Sequence, residues 1–169
     1  MITKSVEWLK HYLIYDPDTG VFRWRIDMGR RYKAGRIAGH VNPRKGYRRI
    51  MIEQKAYPAH HLAWLWTYGK FPKDEIDHIN LNEDDNRISN LREATRSQNN
   101  GNRGISPKNS SGFKGVWYEP KSSRNKPWRA KVKHNGIQYY LGNFTTPEEA
   151  HQAYADKARE LFGEYARAK

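Results

Sequence analysis

The chain has no cysteine, which removes disulfides, thiolate chemistry and cysteine-type zinc sites together. No apolar run approaches the ~20 residues that span a bilayer. The start, Met1-Ile2-Thr3-Lys4-Ser5-Val6-Glu7-Trp8, has no apolar signal core. These absences place the protein in a reducing cytoplasm with no membrane association. Acid is also scarce: 18 Asp and Glu stand against 31 Lys and Arg, a formal net charge of +13. Both halves share the excess, net +7 over residues 1–103 and +6 over 104–169. A chain basic throughout suits a polyanionic partner, the competing reading being a merely soluble basic protein.

What is present is aromatic and patterned. A length of 169 residues allows one large domain or two small ones. A mean hydropathy of −1.04 argues against one deep core and favours two thin modules, each able to bury area through the 6 Trp and 11 Tyr. Val6, Leu9, Leu13 and Ile14 fall at helical spacing, and Tyr15-Asp16-Pro17-Asp18-Thr19-Gly20 is a turn leading into a strand at Val21-Phe22-Arg23-Trp24-Arg25. Residues 46–52 and 56–59 form a hairpin closed near Gln54-Lys55. Residues 60–68 form a buried helix ending at Gly69. Breaker-rich segments around Asn99–Gly104 and Ser106–Gly112 place a linker at about 104–111. Beyond it come strand-like runs near 113–118, 127–133 and 137–144. A helix follows that Thr146 caps, Pro147 opens and Gly163 ends, with Ala150, Ala153, Tyr154, Ala158 and Leu161 as its apolar face.

Asp77-His78 carries the chemistry that stands out in the first part. Hydrolysing a phosphodiester takes an activated water, neutralisation of developing charge and a stabilised leaving oxygen, and one divalent metal with one general base supplies all three. A carboxylate, an amide oxygen and a neighbouring imidazole suit a magnesium-type ion that keeps several waters. Adjacent strand residues point to opposite faces, so separate roles for Asp77 and His78 require the strand to bend there. Alone, the pair reads as a surface turn.

Asp77-His78-Ile79-Asn80, followed by the run from Asp85-Asn86-Arg87 through Asn90-Leu91-Arg92 to Asn99-Asn100, resembles phage and intron-encoded HNH endonucleases. Gly46-Tyr47-Arg48 and Ala59-His60-His61-Leu62-Ala63-Trp64 resemble that family's lead-in, so the likeness covers roughly residues 10–103. It implies an α+β chain whose ββα-metal core, about 74–103, holds one Mg²⁺ or Mn²⁺ per chain. It further implies His78 as general base, Asp77 as metal ligand, Asn90 as the residue that holds the loop and orients His78, and Asn99 as second ligand. Asn99 stands where many relatives have a final His, the HNH-N variant. Residues 82–85 read as a solvated loop, with Asn86 bracing it. His60 and His61 read as structural, one facing the core beside the site and the other open to a phosphate contact.

After the linker, alternation puts Val116, Trp128, Ala130, Val132 and Leu141 on one face. Lys114, Trp117, Arg129, Lys131, Lys133, Gln138 and Tyr140 fall on the other. The expectation is a three-stranded antiparallel sheet on one helix, over 112–169, with a basic aromatic face suited to the major groove. The competing reading is an ordinary solvated sheet face. Gly115-Val116, Trp128-Arg129-Ala130 and Tyr140-Leu141-Gly142-Asn143-Phe144 resemble the APETALA-type (ethylene-response) DNA-binding domain, with Trp117-Tyr118 standing where plant relatives have Arg. That resemblance implies DNA contacts by Trp117, Arg129, Lys131, Lys133 and Tyr140. Together the two likenesses imply a phage-encoded, site-targeted homing endonuclease that nicks double-stranded DNA as a monomer without a small-molecule cofactor. Two alternatives stand against it: a DNA-binding regulator with a decayed nuclease part, which the Asn99 substitution favours, and an RNA-binding protein.

Overall fold

Ser5 opens the first helix. Its hydroxyl accepts a hydrogen bond from the Trp8 amide at 3.2 Å, satisfying a donor that the first turn leaves orphaned, and α1 runs over Val6–Tyr12. The computed structural model describes residues 4–120 and 125–167. The chain divides into two units, residues 1–93 and 94–169. Among the described residues, no helix is long and apolar enough to cross a membrane.

In the first unit, α1 ends earlier than the spacing of Leu13 and Ile14 predicts. Leu13 is already extended, with φ −127° and ψ 158°, and starts β1 (Leu13–Asp16), which pairs antiparallel with β2 (Val21–Trp24). Strand periodicity then buries Leu13 and Tyr15 and turns Ile14 outward. The Asp16 carboxylate accepts from the Asp18 amide at 3.0 Å and the Thr19 hydroxyl at 2.7 Å, which tightens the turn that Gly20 completes at φ 73°. β3 (His40–Val41), β4 (Arg48–Ile52) and β5 (Lys55–Pro58) form an antiparallel sheet in that order.

Glu53 and Gln54 close β4 to β5 at φ 49° and 62°, a left-handed turn that non-glycine residues hold only with support. Here the Glu53 carboxylate accepts from the Lys4 ammonium, the Trp8 indole at 3.2 Å and the Tyr12 hydroxyl at 2.8 Å. Lys4, then Tyr12 and Trp8, hold its pKa down to about 2. α2 (Ala59–Tyr68) follows and stops at Gly69, left-handed at φ 73°. One core joins α1, both sheets and α2 through Leu9, Phe22, Trp24, Ile50, Ile52 and Leu62. β6 (Glu75–His78) and β7 (Leu91–Ala94) pair as a ribbon, with a 3-10 turn at Ile88–Asn90 just before β7.

In the second unit, Thr95 and Gln98 form a reciprocal capping box at the start of α3 (Arg96–Asn102). β8 (Val116–Tyr118), β9 (Trp128–His134) and β10 (Ile137–Phe144) form an antiparallel sheet in the order β10-β9-β8. Asn135-Gly136 closes β9 to β10 at φ 48° and 83°, the left-handed pair that matches strand twist. α4 (Pro147–Phe162) begins as expected: the Thr146 hydroxyl accepts from the Glu149 amide at 3.2 Å. Its buried stripe is Ala150, Tyr154, Ala155, Ala158 and Phe162, rotated from the expected face, so that Ala153 and Leu161 are only half-buried. Within that stripe the Tyr154 ring lies 2.2 Å from where a Cβ on Gly115 would be, a seat that only glycine leaves open.

α3 packs within this second unit. The Phe162 ring approaches within 2.7 Å of where a Cβ on Gly101 would lie, and the Asn135 amide donates to Ser97 Oγ at 2.9 Å. The boundary between units therefore falls ahead of α3 rather than in the breaker-rich stretch 104–111. The chain is a mixed α/β protein with small antiparallel sheets. β6, β7 and α3 follow one another in sequence, but the packing contacts of α3 given above are to the second unit.

Gly20 and Gly29 offer a clean comparison. Both are left-handed, at φ 73° and 80°, but a Cβ on Gly20 would stand 2.4 Å from Arg87 N and 2.6 Å from Asn86 C, whereas one on Gly29 meets nothing within 4 Å. Gly29→Ala bears the dihedral penalty of roughly 1 kcal/mol, and Gly20→Ala costs about 2 kcal/mol more because backbone must move. Urea unfolding of both variants checks this; equal losses would remove the proposed contact between the Gly20 turn and the 86–87 backbone.

Candidate active site and basic sheet face

β6 ends in a buried pair. Ile76 carries the strand into the core, and Asp77 and His78 are 2% and 4% exposed. The strand stops at His78. Leu81, left-handed at φ 65°, donates its amide to the His78 carbonyl at 3.0 Å and reverses the chain. Thus both side chains are enclosed where the ribbon gives way to the loop 79–90.

That loop is built from amides and carboxylates. Asn90 Oδ1 accepts from the Asn80 amide at 3.0 Å, Asn90 Nδ2 donates to the Asp85 carbonyl at 2.9 Å, and the Asn90 carbonyl accepts from Ile79 N at 3.0 Å. Asn80, Asn82 and Asp85 each accept the amide two residues on, making consecutive Asx turns. Asn86, expected as a brace, is 1% exposed. It acts by donating Nδ2 to the Asp84 carbonyl at 2.9 Å, while its own carbonyl accepts from the Tyr15 hydroxyl at 2.7 Å. Asp84 and Asp85 are less free than a solvated loop implies. Arg48 grips Asp84 through two bonds of 2.8 Å, and Arg87 grips Asp85 at 2.6 and 2.8 Å.

Rings surround His78. The His60 ring stands edge-on at 5.1 Å and the Tyr47 ring lies at 5.7 Å, with Tyr47 and His60 themselves 5.3 Å apart. Burial pushes the His78 pKa down. The Asn86 side chain and the carboxylates of Glu83, Asp77 and Asp85 oppose this without reversing it. His60 is pushed much further, to about 2, by burial and by the neighbouring His61 and His78. His61 is lowered by burial alone. His60 is thus the histidine that faces the core beside the centre. Across the ribbon, Arg92 Nε donates to Asp77 Oδ2 at 2.9 Å, a pair that is nearly enclosed on both sides.

The structure therefore brings Asp77, His78 and Asn90 together in the first unit. Asn99 lies on α3, in the second. Tyr47, Arg48 and Arg92 had no role assigned from sequence. Tyr47 and Arg48 lay inside the quoted Gly46-Tyr47-Arg48 motif, and Arg92 became meaningful only once β7 was paired with β6. Among the described residues, no group of three or more His, Asp or Glu converges as a ready metal cage. The donor chemistry present, a single enclosed carboxylate on Asp77, fits a hard cation that keeps most of its own water rather than a fully protein-bound one.

The second unit presents the other candidate surface. Trp117 pairs across the sheet with Arg129, Tyr140 with Lys131, and Gln138 with Lys133. Lys131 Nζ lies 4.6 Å over the Trp117 ring and the Arg129 guanidinium 5.3 Å from the Tyr140 ring. Arg129 is held by Asn143 Oδ1 at 3.2 Å and Glu119 at 3.4 Å, and the Tyr140 hydroxyl donates to Asn143 Oδ1 at 2.7 Å. A bulge at Leu141 shifts the register between Tyr140 and Gly142, yet Tyr140 keeps its outward face. Lys114 departs from the expected face. It precedes β8, and its ammonium donates to the Gly101 carbonyl at 2.6 Å at the end of α3. Burial, then Arg167 and Arg103, push its pKa down to about 8.

The HNH endonuclease family profile matches residues 57–101, the stretch that holds α2, the β6–β7 ribbon and α3. The chain is 44% identical over 99 residues to an uncharacterized HNH endonuclease of Acanthamoeba polyphaga mimivirus, covering 58% of this chain and 49% of that protein. It thus spans about half the length of that relative. It is 32% identical over 125 residues to Protein 3.8 of Escherichia phage T7, covering 73% of this chain and 98% of the phage protein. No solved structure matches it.

The neutral burial of His60 has a consequence for stability. Its folded pKa, about 2, lies below the ordinary 6.5, so below pH 6.5 the unfolded chain binds a proton that the folded one refuses. The contribution is fully present above pH 6.5 and is lost as pH falls, at up to about 1.4 kcal/mol per pH unit. His60→Leu flattens the decline between pH ~6 and ~4 by about that slope, as read from urea midpoints across a pH series. An unchanged slope would show that His60 titrates normally in the fold.

Proposed function

Because residues 57–101 match the HNH endonuclease family profile, we propose that the chain hydrolyses phosphodiester bonds in double-stranded DNA with His78 as general base. The observation that carries this reading is the enclosed Asp77-His78 pair at the end of β6, with Asn90 tying down the loop beside it. A general base at neutral pH must be unprotonated before the reaction and tolerated as a cation after it. Burial against His60 and Tyr47 supplies the first condition. Glu83, Asp77 and Asp85, which act on the ring through space, supply the second. His78 takes the proton from a water aimed at phosphorus, and Asn90 keeps the segment after His78 in register so that the ring stays aimed.

A divalent ion, Mg²⁺ or Mn²⁺, neutralises phosphate charge and stabilises the leaving oxygen when bound. Asp77 would hold it, and Asn99 remains the second oxygen donor that the resemblance implies. Arg92 shares the Asp77 carboxylate and weakens its pull on a cation, consistent with an ion bound mainly through its own water and the substrate. In this reading the grouping of β6, β7 and α3 is a ββα-metal module. The exposed face carrying Trp117, Arg129, Lys131, Lys133 and Tyr140 positions the chain on a duplex as an APETALA-type module. The product is a nick in one strand, made as a monomer, in the cytoplasm of a host cell at a homing site. The rival, a DNA-binding regulator without cleavage, draws on the Asn99 substitution.

A supercoiled-plasmid nicking assay tests the core of the proposal. Wild-type chain with Mg²⁺ or Mn²⁺ nicks, chelation stops it, and His78→Ala reduces the rate by about 100-fold or more. Binding without nicking by the wild type would establish the regulator. Because the His78 pKa lies below 6.5, the acid limb of the nicking rate falls below pH 6.5, and a limb centred above it would contradict a buried neutral base.

The sheet face makes a separate prediction. Arg129→Ala combined with Lys131→Ala weakens duplex binding on the order of tenfold at moderate salt and leaves Mg²⁺-dependent hydrolysis of a short duplex at saturating protein unchanged. Unaltered affinity would remove this face from the DNA interface.

A further inference from the structure

The positive charge of the first unit is concentrated in one stretch of sequence. Residues 23–49 hold ten Lys or Arg and a single acid, Asp27, whereas the rest of residues 1–93 hold seven Lys or Arg and eleven Asp or Glu. Outside this stretch, then, the unit is net acidic. Crowding ten cations into 27 residues raises self-repulsion and does nothing for a core.

Within the stretch, residues 25–36 form a hairpin with an arginine tip. The Trp24 amide donates to the Arg36 carbonyl at 2.9 Å and the Gly35 amide to the Trp24 carbonyl at 2.8 Å, which fixes the base. The Met28 amide donates to the Tyr32 carbonyl at 2.7 Å and leaves Gly29-Arg30-Arg31 as the tip. Asp27, the one acid, is used internally: it accepts from the Ala34 amide at 2.9 Å and pairs with Lys33 at 2.6 Å. The Tyr32 ring lies 5.1 Å from that of Trp24, which is 1% exposed, so the hairpin is anchored to the core. Arg25, Arg30, Arg31 and Arg36 are all exposed, and among the described residues no side-chain hydrogen bond or ion pair engages any of the four. A hydrogen-bonded hairpin that presents guanidinium groups and spends its only acid on its own shape is complementary to a regular polyanion.

We propose that this hairpin is a clamp for the phosphate backbone of duplex DNA, with Arg30 and Arg31 as its leading contacts. The proposal rests on the reading of DNA as the partner and goes beyond it by giving the first unit its own grip, separate from the sheet face of the second. Phosphate contact by point charges carries no sequence information, so the clamp adds affinity and residence on any duplex.

The test reads equilibrium binding of the full chain to a short mixed-sequence duplex by fluorescence anisotropy, in EDTA so that nothing is cut, across a KCl series. Arg30→Gln with Arg31→Gln lowers the slope of log affinity against log salt by about 2 and weakens binding on the order of tenfold at low salt. Arg30→Lys with Arg31→Lys keeps the slope, because phosphate accepts either cation. Both variants melt with the wild type, since among the described residues neither arginine has a side-chain partner to lose. An unchanged slope in the Gln variant overturns the clamp, as does an equal loss in both variants or a loss seen only with duplex RNA. Nicking is not read, so the two ideas fail separately: a chain that never cuts but shows the slope change keeps the clamp, and one that cuts with an unchanged slope loses only the clamp.

Discussion

The side chain of Asn90 is the constraint on which the candidate centre depends. It bonds both sides of the loop, donating to the Asp85 carbonyl and accepting from the Asn80 amide, while its backbone carbonyl accepts from Ile79. Loop 79–90 carries little apolar material, so its shape must come from hydrogen bonds, and a 6% exposed amide makes them in competition with little water. The path of residues 79–90 between β6 and β7 follows from these bonds. The Asx turns at Asn80, Asn82 and Asp85 are local. Asn90, with the Asn80 side chain that donates to Asp85 at 2.7 Å, ties them into a closed loop that leads into β7, where Arg92 reaches Asp77.

The electrostatics follow from this closure. Enclosing His78 removes water from the imidazole and lowers its pKa, yet three carboxylates sit near enough to pull the other way. Full burial without carboxylates would leave a base that resists taking a proton at all, as His60 illustrates at about 2. Full exposure would leave His78 partly protonated near neutrality. Two histidines in ring contact thus acquire different characters from their surroundings, His60 held neutral by burial and His78 lowered against the opposing pull of nearby carboxylates. Arg92 plays the matching part for Asp77, whose enclosed carboxylate would otherwise be a costly charge.

How much of this could be read from sequence depended on how local the cause was. The Thr146-Pro147 cap, the Gly69 stop and the turn that Gly20 completes are set by groups within a few residues, and they were legible. The Asp77-His78-Asn90 grouping was legible through motif order rather than spacing. What was missed was tertiary. Ile14 has helical spacing with Val6, but hairpin pairing overrides it. Lys114 alternates like a strand residue, but it lies before β8 and reaches the carbonyls at the end of α3. Breakers at 104–111 looked like a boundary, yet α3 ahead of them packs through Gly101 against Phe162, a contact that a glycine permits and no local pattern announces.

The two basic surfaces differ in a way that bears on how such a chain would divide its work on a duplex. On the sheet, Arg129 is already held by Glu119 and Asn143 and faces Tyr140, and Lys131 rests over Trp117. Such cations have lost most of their rotamer freedom before any ligand arrives, so they meet a partner in one geometry and discriminate against others. On the hairpin 25–36, the backbone is fixed but the arginines at the tip are not. Each can follow a phosphate wherever the helix presents one, at a larger entropic cost per contact and with no preference among sequences. A fold that wanted only affinity would have no reason to hold Arg129 with an acid, since Glu119 subtracts from the attraction. Its presence makes sense where orientation matters more than charge. The same reasoning explains why the hairpin's single acid is turned inward to the Ala34 amide and Lys33, where it shapes the loop and leaves the guanidinium groups at the tip unopposed.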